Sequence, residues 1–151
     1  MERFEGELRG PPGTPYEGGI FRFAMTIPQD WPYFGPRVQL LTRMFSAGVS
    51  ESGENPWNLR WHDPTWRDTG GGTLWPAAYQ LIHVLIEYEV MLGGEVGWEG
   101  EFAANVEPCH VMDSRRAELW REDPDEYKRL AREWTRRYAT EEQVDALPIR
   151  R

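Results

Sequence analysis

The chain holds one cysteine, Cys109, followed at once by His110, with Asp113 close behind. Thiol, imidazole and carboxylate are the parts of a nucleophile, its base and the group that orients the base. Side chains that are adjacent along a chain often point apart, however. A lone cysteine is more commonly a small buried hydrophobe. Catalysis by Cys109 is the remote reading. His62, His83 and His110 share no spacing that resembles a zinc motif, so no metal site is expected. Gly70, Gly71 and Gly72 lack the Lys-Ser/Thr that follows a phosphate loop, and no cofactor is expected. The pairs Glu87/Glu89 and Glu99/Glu101 could do acid–base work. In a chain of formal net charge −8 they are first read as solvated acids.

The tryptophans are the other conspicuous side chains. Of 8 Trp, three (Trp57, Trp61 and Trp66) fall between Phe45 and Gly72, where no periodicity holds. Long aperiodic segments of this kind are usually functional or packed on their own side chains. Packing is favoured for Trp66. Trp57 and Trp61, with Trp98 in a second Gly-rich loop, form the candidate partner surface. The charge balance disfavours nucleic acid and anionic membranes as partners. No apolar run reaches the roughly 20 residues that span a bilayer. The first residues show neither a signal-peptide core nor a transit-peptide composition. The single cysteine excludes an internal disulfide framework.

The elements that would position these residues follow from periodicity. Phe4, Gly6 and Leu8 alternate with charged residues, as a strand with one buried face does. Gly10–Gly19 is dense in Gly and Pro and must turn. Phe21, Phe23, Met25 and Ile27 lie on one face of a second strand, and residues 37–42 are a third candidate. The segment between these two strands holds Pro28, Pro32 and Pro36, which forbid regular ladder pairing within it. Short links favour an antiparallel meander. Ala77, Ala78, Leu81, Ile82, Leu85 and Ile86 then give a helical stripe that ends near Gly93 and Gly94. Asp113 caps one further helix. Asp123 and Pro124 open another, whose stripe is Tyr127, Leu130, Ala131, Trp134 and Tyr138. One domain is expected over residues 1–139, with residues 140–151 as a surface extension.

The order and identity of these residues resemble the ubiquitin-conjugating enzyme family. Gly10, Pro11, Thr14, Pro15, Tyr16, Gly18, Gly19 and Phe21 match that family's Gly/Pro loop and second strand. Asp30, Pro32, Pro36, Val38 and Thr42 match the crossing and third strand. "DPDEYKRLAREWTRRYA" is similar to the family's last helix. The resemblance implies an α+β UBC-like fold: an antiparallel meander sheet of three or four strands, a central helix and C-terminal helices.

The resemblance also implies a site, and here the chain departs from it. The family carries His-Pro-Asn after the third strand and then, past a glycine, the cysteine that takes ubiquitin as a thioester. Those positions hold Ser46, Ala47 and Gly48. Gly53 matches the glycine, and the nucleophile's place falls on Pro56. Proline offers neither a thiol nor a backbone donor. The family's first helix, which helps dock the activating enzyme and ligases, is also expected to be missing. The resemblance therefore implies an inactive, cysteine-lacking member, a pseudoenzyme with no catalytic residue. Its partners would be proteins. The leading reading is an interaction or structural accessory subunit of a larger assembly, for which a mitochondrial respiratory complex is one setting; the compartment is left open. The alternative is a variant that assists an active conjugating enzyme and contacts ubiquitin.

Overall fold

The computed structural model describes residues 2–29, 36–54, 93–96, 100–104, 106 and 111–146. Three strands form the main sheet: β1 (Glu2–Arg9), β2 (Ile20–Ile27) and β3 (Arg37–Leu40), in the order β1-β2-β3. Both pairings are antiparallel, with Gly6 opposite Phe23 and Met25 opposite Val38. A second, two-stranded ladder joins β4 (Glu95–Val96) to β5 (Phe102–Ala103). Three helices end the chain: α1 (Ser114–Glu122), α2 (Pro124–Tyr138) and α3 (Glu141–Asp145). The helix expected over Ala77 to Ile86 lies outside the described residues.

The alternation in β2 puts Phe21, Phe23 and Met25 into the core, where Val38 and Leu40 meet them from β3. Ala24, on the opposite face, is buried as well. β3 is shorter than its sequence pattern suggests. The amides of Leu41 and Thr42 both turn to the carbonyl of Arg22, at 2.8 and 3.3 Å, so one acceptor serves two donors and the regular ladder stops.

The Gly/Pro loop between β1 and β2 is a closed structure. Gly10 N–H donates to Gly19 O at 2.9 Å, and a side chain at Gly10 would collide with the Tyr16 carbonyl. Thr14 Oγ1 donates to Pro11 O and accepts from Tyr16 N–H, which turns Tyr16 inward. The Tyr16 ring begins a chain of edge-to-face aromatic contacts. It meets Phe102 at 5.8 Å. Phe102 then meets Trp120, Trp120 meets Tyr127, Tyr127 meets Phe45 and Phe45 meets Trp134, all with centroids 5.2–5.8 Å apart. Such pairs add about 0.5–1.5 kcal/mol each beyond area burial. Among the described residues, these aromatic side chains form one continuous core joining loop, hairpin and helices.

The helix starts follow the sequence signals. Asp113 accepts from the amides of Arg115 and Arg116, both at 3.1 Å, and Asp123 accepts from Glu126 N–H with proline at the first turn. Within residues 140–146 the chain turns back onto the domain. Thr140 caps α3, Val144 is fully buried, and α3 packs on β2. Ile20 N–H also donates to Ala139 O at 2.8 Å, which ties the end of α2 to the start of β2.

Candidate functional site

After β3 the chain enters the segment that the sequence reading singled out. Residues 46–48 form a turn, and Val49 re-enters the core. A second turn at 50–54 closes on the edge of β3. Gly53 N–H donates to Ser50 O, and Leu40 N–H donates to Gly53 O at 2.9 Å. Gly53 has φ 83°, and a β-carbon there would run into the Leu40 carbonyl. Only glycine satisfies both conditions. Ser50, Ser52 and Glu54 complete the turn: Glu54 N–H donates to Ser50 Oγ, and Gln39 reaches Ser52 O. The turn after β3 is therefore well formed up to Glu54. Pro56, Trp57, Trp61, Trp66, Trp98, Cys109 and His110 lie outside the described residues, as do His62 and His83. Among the described residues no group of acidic, histidine or cysteine side chains could hold a metal ion, and no helix is long and apolar enough to cross a membrane.

Ser46, Ala47 and Gly48 lie at the centre of a dense internal network. Ala47 is buried, and its N–H donates to Tyr127 Oη at 2.9 Å. Its carbonyl accepts from Met112 N–H at 2.8 Å and Asp113 N–H at 3.1 Å. Gly48 N–H turns back to Ser46 Oγ at 3.1 Å. The Phe45 carbonyl accepts from Tyr16 Oη at 2.9 Å. These contacts use most of the donors and acceptors that a turn would otherwise offer to a ligand.

Arg116 holds the segment from the other side. It lies in the first turn of α1 and is 7% exposed. Its Nη1 donates to Met44 O at 3.1 Å and Ser46 O at 3.3 Å, while its Nε sits 3.2 Å from Asp113 Oδ2. The guanidinium also lies over the rings of Phe45, at 4.8 Å, and Trp134, at 5.1 Å. A buried cation is tolerated when its donors are satisfied and its charge is opposed. The planar fork meets two carbonyls on one side and a carboxylate on the other, as an ammonium could not.

Tyr16 is the one strongly perturbed acid beside the turn. Burial pushes its phenol well above the usual range. Tyr127 raises it further, against weaker opposing contributions from Ser46 and Arg116. It is a permanent hydrogen-bond donor and cannot serve as a base near neutral pH. Ser46 contributes the only side-chain hydroxyl of the triplet, and that oxygen already accepts from Gly48. Within residues 46–48 the amides of Ala47 and Gly48 and the Ser46 hydroxyl are thus all held in internal hydrogen bonds.

A family model for the ubiquitin-conjugating enzyme matches residues 1–135. The chain belongs to the ubiquitin-conjugating enzyme family. Human ubiquitin-conjugating enzyme E2 K is 29% identical over 140 residues, covering 89% of this chain and 56% of that protein. Ubiquitin-conjugating enzyme E2 N of Drosophila melanogaster is 27% identical over 135 residues, covering 89% of this chain and 75% of that one. The chain thus spans little more than half the length of the first of these relatives. Among solved structures, the E2 domain of a Toxoplasma gondii ubiquitin conjugating enzyme superposes with a TM-score of 0.71 at 24% identity, over 91% of this chain and 81% of that one. The α+β fold expected from the Gly/Pro loop, the meander and the last helix is the conjugating-enzyme fold.

The sequence located this turn but missed what holds it. Arg116 reads as one of three arginines in a capped helix, and Tyr127 as part of an apolar stripe. The available signal was the i,i+3 spacing of Asp113 and Arg116, which lets one carboxylate cap the helix and pair with the guanidinium.

Proposed function

We propose that this chain is a non-catalytic member of the conjugating-enzyme family. It acts through protein contacts, as an accessory subunit of a larger assembly. The observation that carries this reading is the state of residues 46–48. The positions of the family's His-Pro-Asn hold Ser-Ala-Gly, and their backbone is committed to Tyr127, Met112, Asp113 and Arg116. Thioester transfer needs an accessible thiolate and donors aimed at the developing oxyanion. Proline at position 56 supplies neither. Trp57, Trp61 and Trp98 are the proposed partner surface, in keeping with the enrichment of tryptophan at binding hot spots. The alternative, a variant that assists an active conjugating enzyme in building ubiquitin chains, draws on the relatives' names. The retained α1 and α2 favour the assembly subunit over it.

The test has two arms. In the first, the chain is incubated with activating enzyme, ubiquitin and ATP, and thiol-sensitive adducts are sought. None is expected, from the native chain or from Pro56→Cys, because the supporting triplet is absent too. An adduct on the native chain that disappears in Cys109→Ser would overturn the proposal in favour of a relocated nucleophile. In the second arm, native purification should find the chain in a large stable complex. A free chain that instead stimulates an active conjugating enzyme would identify the alternative.

A further inference from the structure

The Gly/Pro loop and the outer side of α2 enclose a groove of about 270 Å³, lined by Thr14, Pro15, Glu17, Arg132, Thr135 and Arg136. Its floor is buried. Thr14 and Thr135 are 6% and 7% exposed, and both hydroxyls are already used, on Pro11 O and Ala131 O. Pro15 lies beside them in the lining. The rim is charged. Arg132 and Arg136 are exposed and, among the described residues, neither has an ion pair, a hydrogen bond or a ring contact.

That lack of partners sets them apart on their own helix. Arg129 forms a fork with Glu126 and reaches Glu133, Arg137 lies over the ring of Tyr138, and Lys128 lies over that of Trp120. Favourable interaction with the helix dipole accounts for a cation in the last turn, such as Arg136, but not for Arg132. On the opposite wall Glu17 accepts from Gly13 N–H at 3.2 Å, which draws its carboxylate toward the loop. Two unpartnered guanidinium groups therefore face one groove on a chain of net charge −8.

We propose that this groove binds an extended acidic segment of a partner protein, with two carboxylates on Arg132 and Arg136. The spacing fits. Residues four apart on a helix are separated by about 6 Å along its axis. Alternate residues of an extended strand are separated by about 6.6 Å. Acidic side chains at alternate positions would each meet one arginine, and the chain between them would lie over Thr14, Pro15 and Thr135. This surface is distinct from the 46–56 segment, and the inference holds whether or not the chain catalyses.

The test uses the full chain and a fluorescein-labelled peptide with glutamate at alternating positions, followed by fluorescence anisotropy. Binding is expected at low salt, weakening as salt rises. Arg132→Gln with Arg136→Gln should weaken it by at least about tenfold, as the loss of charge-assisted hydrogen bonds requires. Arg129→Gln, in an arginine already paired, should leave it unchanged. The proposal is overturned if the peptide does not bind, or if Arg129→Gln costs as much as the double substitution, which would indicate only the general positive charge of the helix. It also fails if inorganic phosphate displaces the peptide at equal concentration, which would indicate a free-anion site, or if a single-stranded RNA binds more tightly.

Discussion

Two polar regions of this molecule treat their charges in opposite ways. In the 44–49 turn, a buried arginine has two carbonyls, a carboxylate and two aromatic faces around it. Along the outer side of α2, two exposed arginines have no internal partner. The first arrangement fixes the chain and leaves little for a ligand. The second adds little to the fold and leaves guanidinium donors available. Among the described residues, the polar groups of the turn are engaged with one another, and those of the two arginines are not.

Arg116→Ala is the harshest way to break this contrast. It removes the donor from Met44 O and Ser46 O and leaves Asp113 and two carbonyls without their counterpart. A loss of about 3–5 kcal/mol is expected in urea unfolding, as for breaking one partner of a buried pair. A loss below 1 kcal/mol would mean that the turn stands without its arginine. Gly53→Ala comes next. It forces a β-carbon into the left-handed region and against the Leu40 carbonyl, at an expected cost of about 2 kcal/mol or more. The same measurement checks it, and Gly18→Ala is the comparison, because it shares the positive φ but has open space around it.

Tyr16→Phe should act more gently at neutral pH, by about 1 kcal/mol for the lost hydrogen bond to Phe45 O. Its sharper signature is in alkali. The folded phenol titrates above the unfolded one, so the fold favours its neutral form. That stability is fully present below the unfolded value, near pH 10, and is lost as pH rises beyond it. The melting temperature of the native chain should fall steeply above about pH 10, and Tyr16→Phe should flatten that fall. The double substitution of Arg132 and Arg136 by glutamine should have the smallest effect on stability, within about 0.5 kcal/mol. The contrast sharpens if that same variant loses the acidic peptide.

The strands of the meander and the two capped helices were legible in the sequence, because each depends on local rules. Phe21, Phe23 and Met25 alternate, and Asp113 and Asp123 cap. The end of β3 was less legible, since Leu41 and Thr42 leave the ladder only because both find the carbonyl of Arg22. Val144 was read as surface because a single valine in a polar tail carries no periodicity; its burial against β2 depends on where α2 ends.

By itself, the sequence determined the fold family, because that follows from residue types in order along the chain. Only the tertiary structure decided what became of the triplet's neighbourhood. Tyr16, Arg116 and Tyr127 are far from Ser46–Gly48 in sequence and meet it only when sheet and helices close on one core. The same closure placed Arg132 and Arg136 across from the Gly/Pro loop. A side chain's partners are set by distances through space, and residue order along the chain does not contain them.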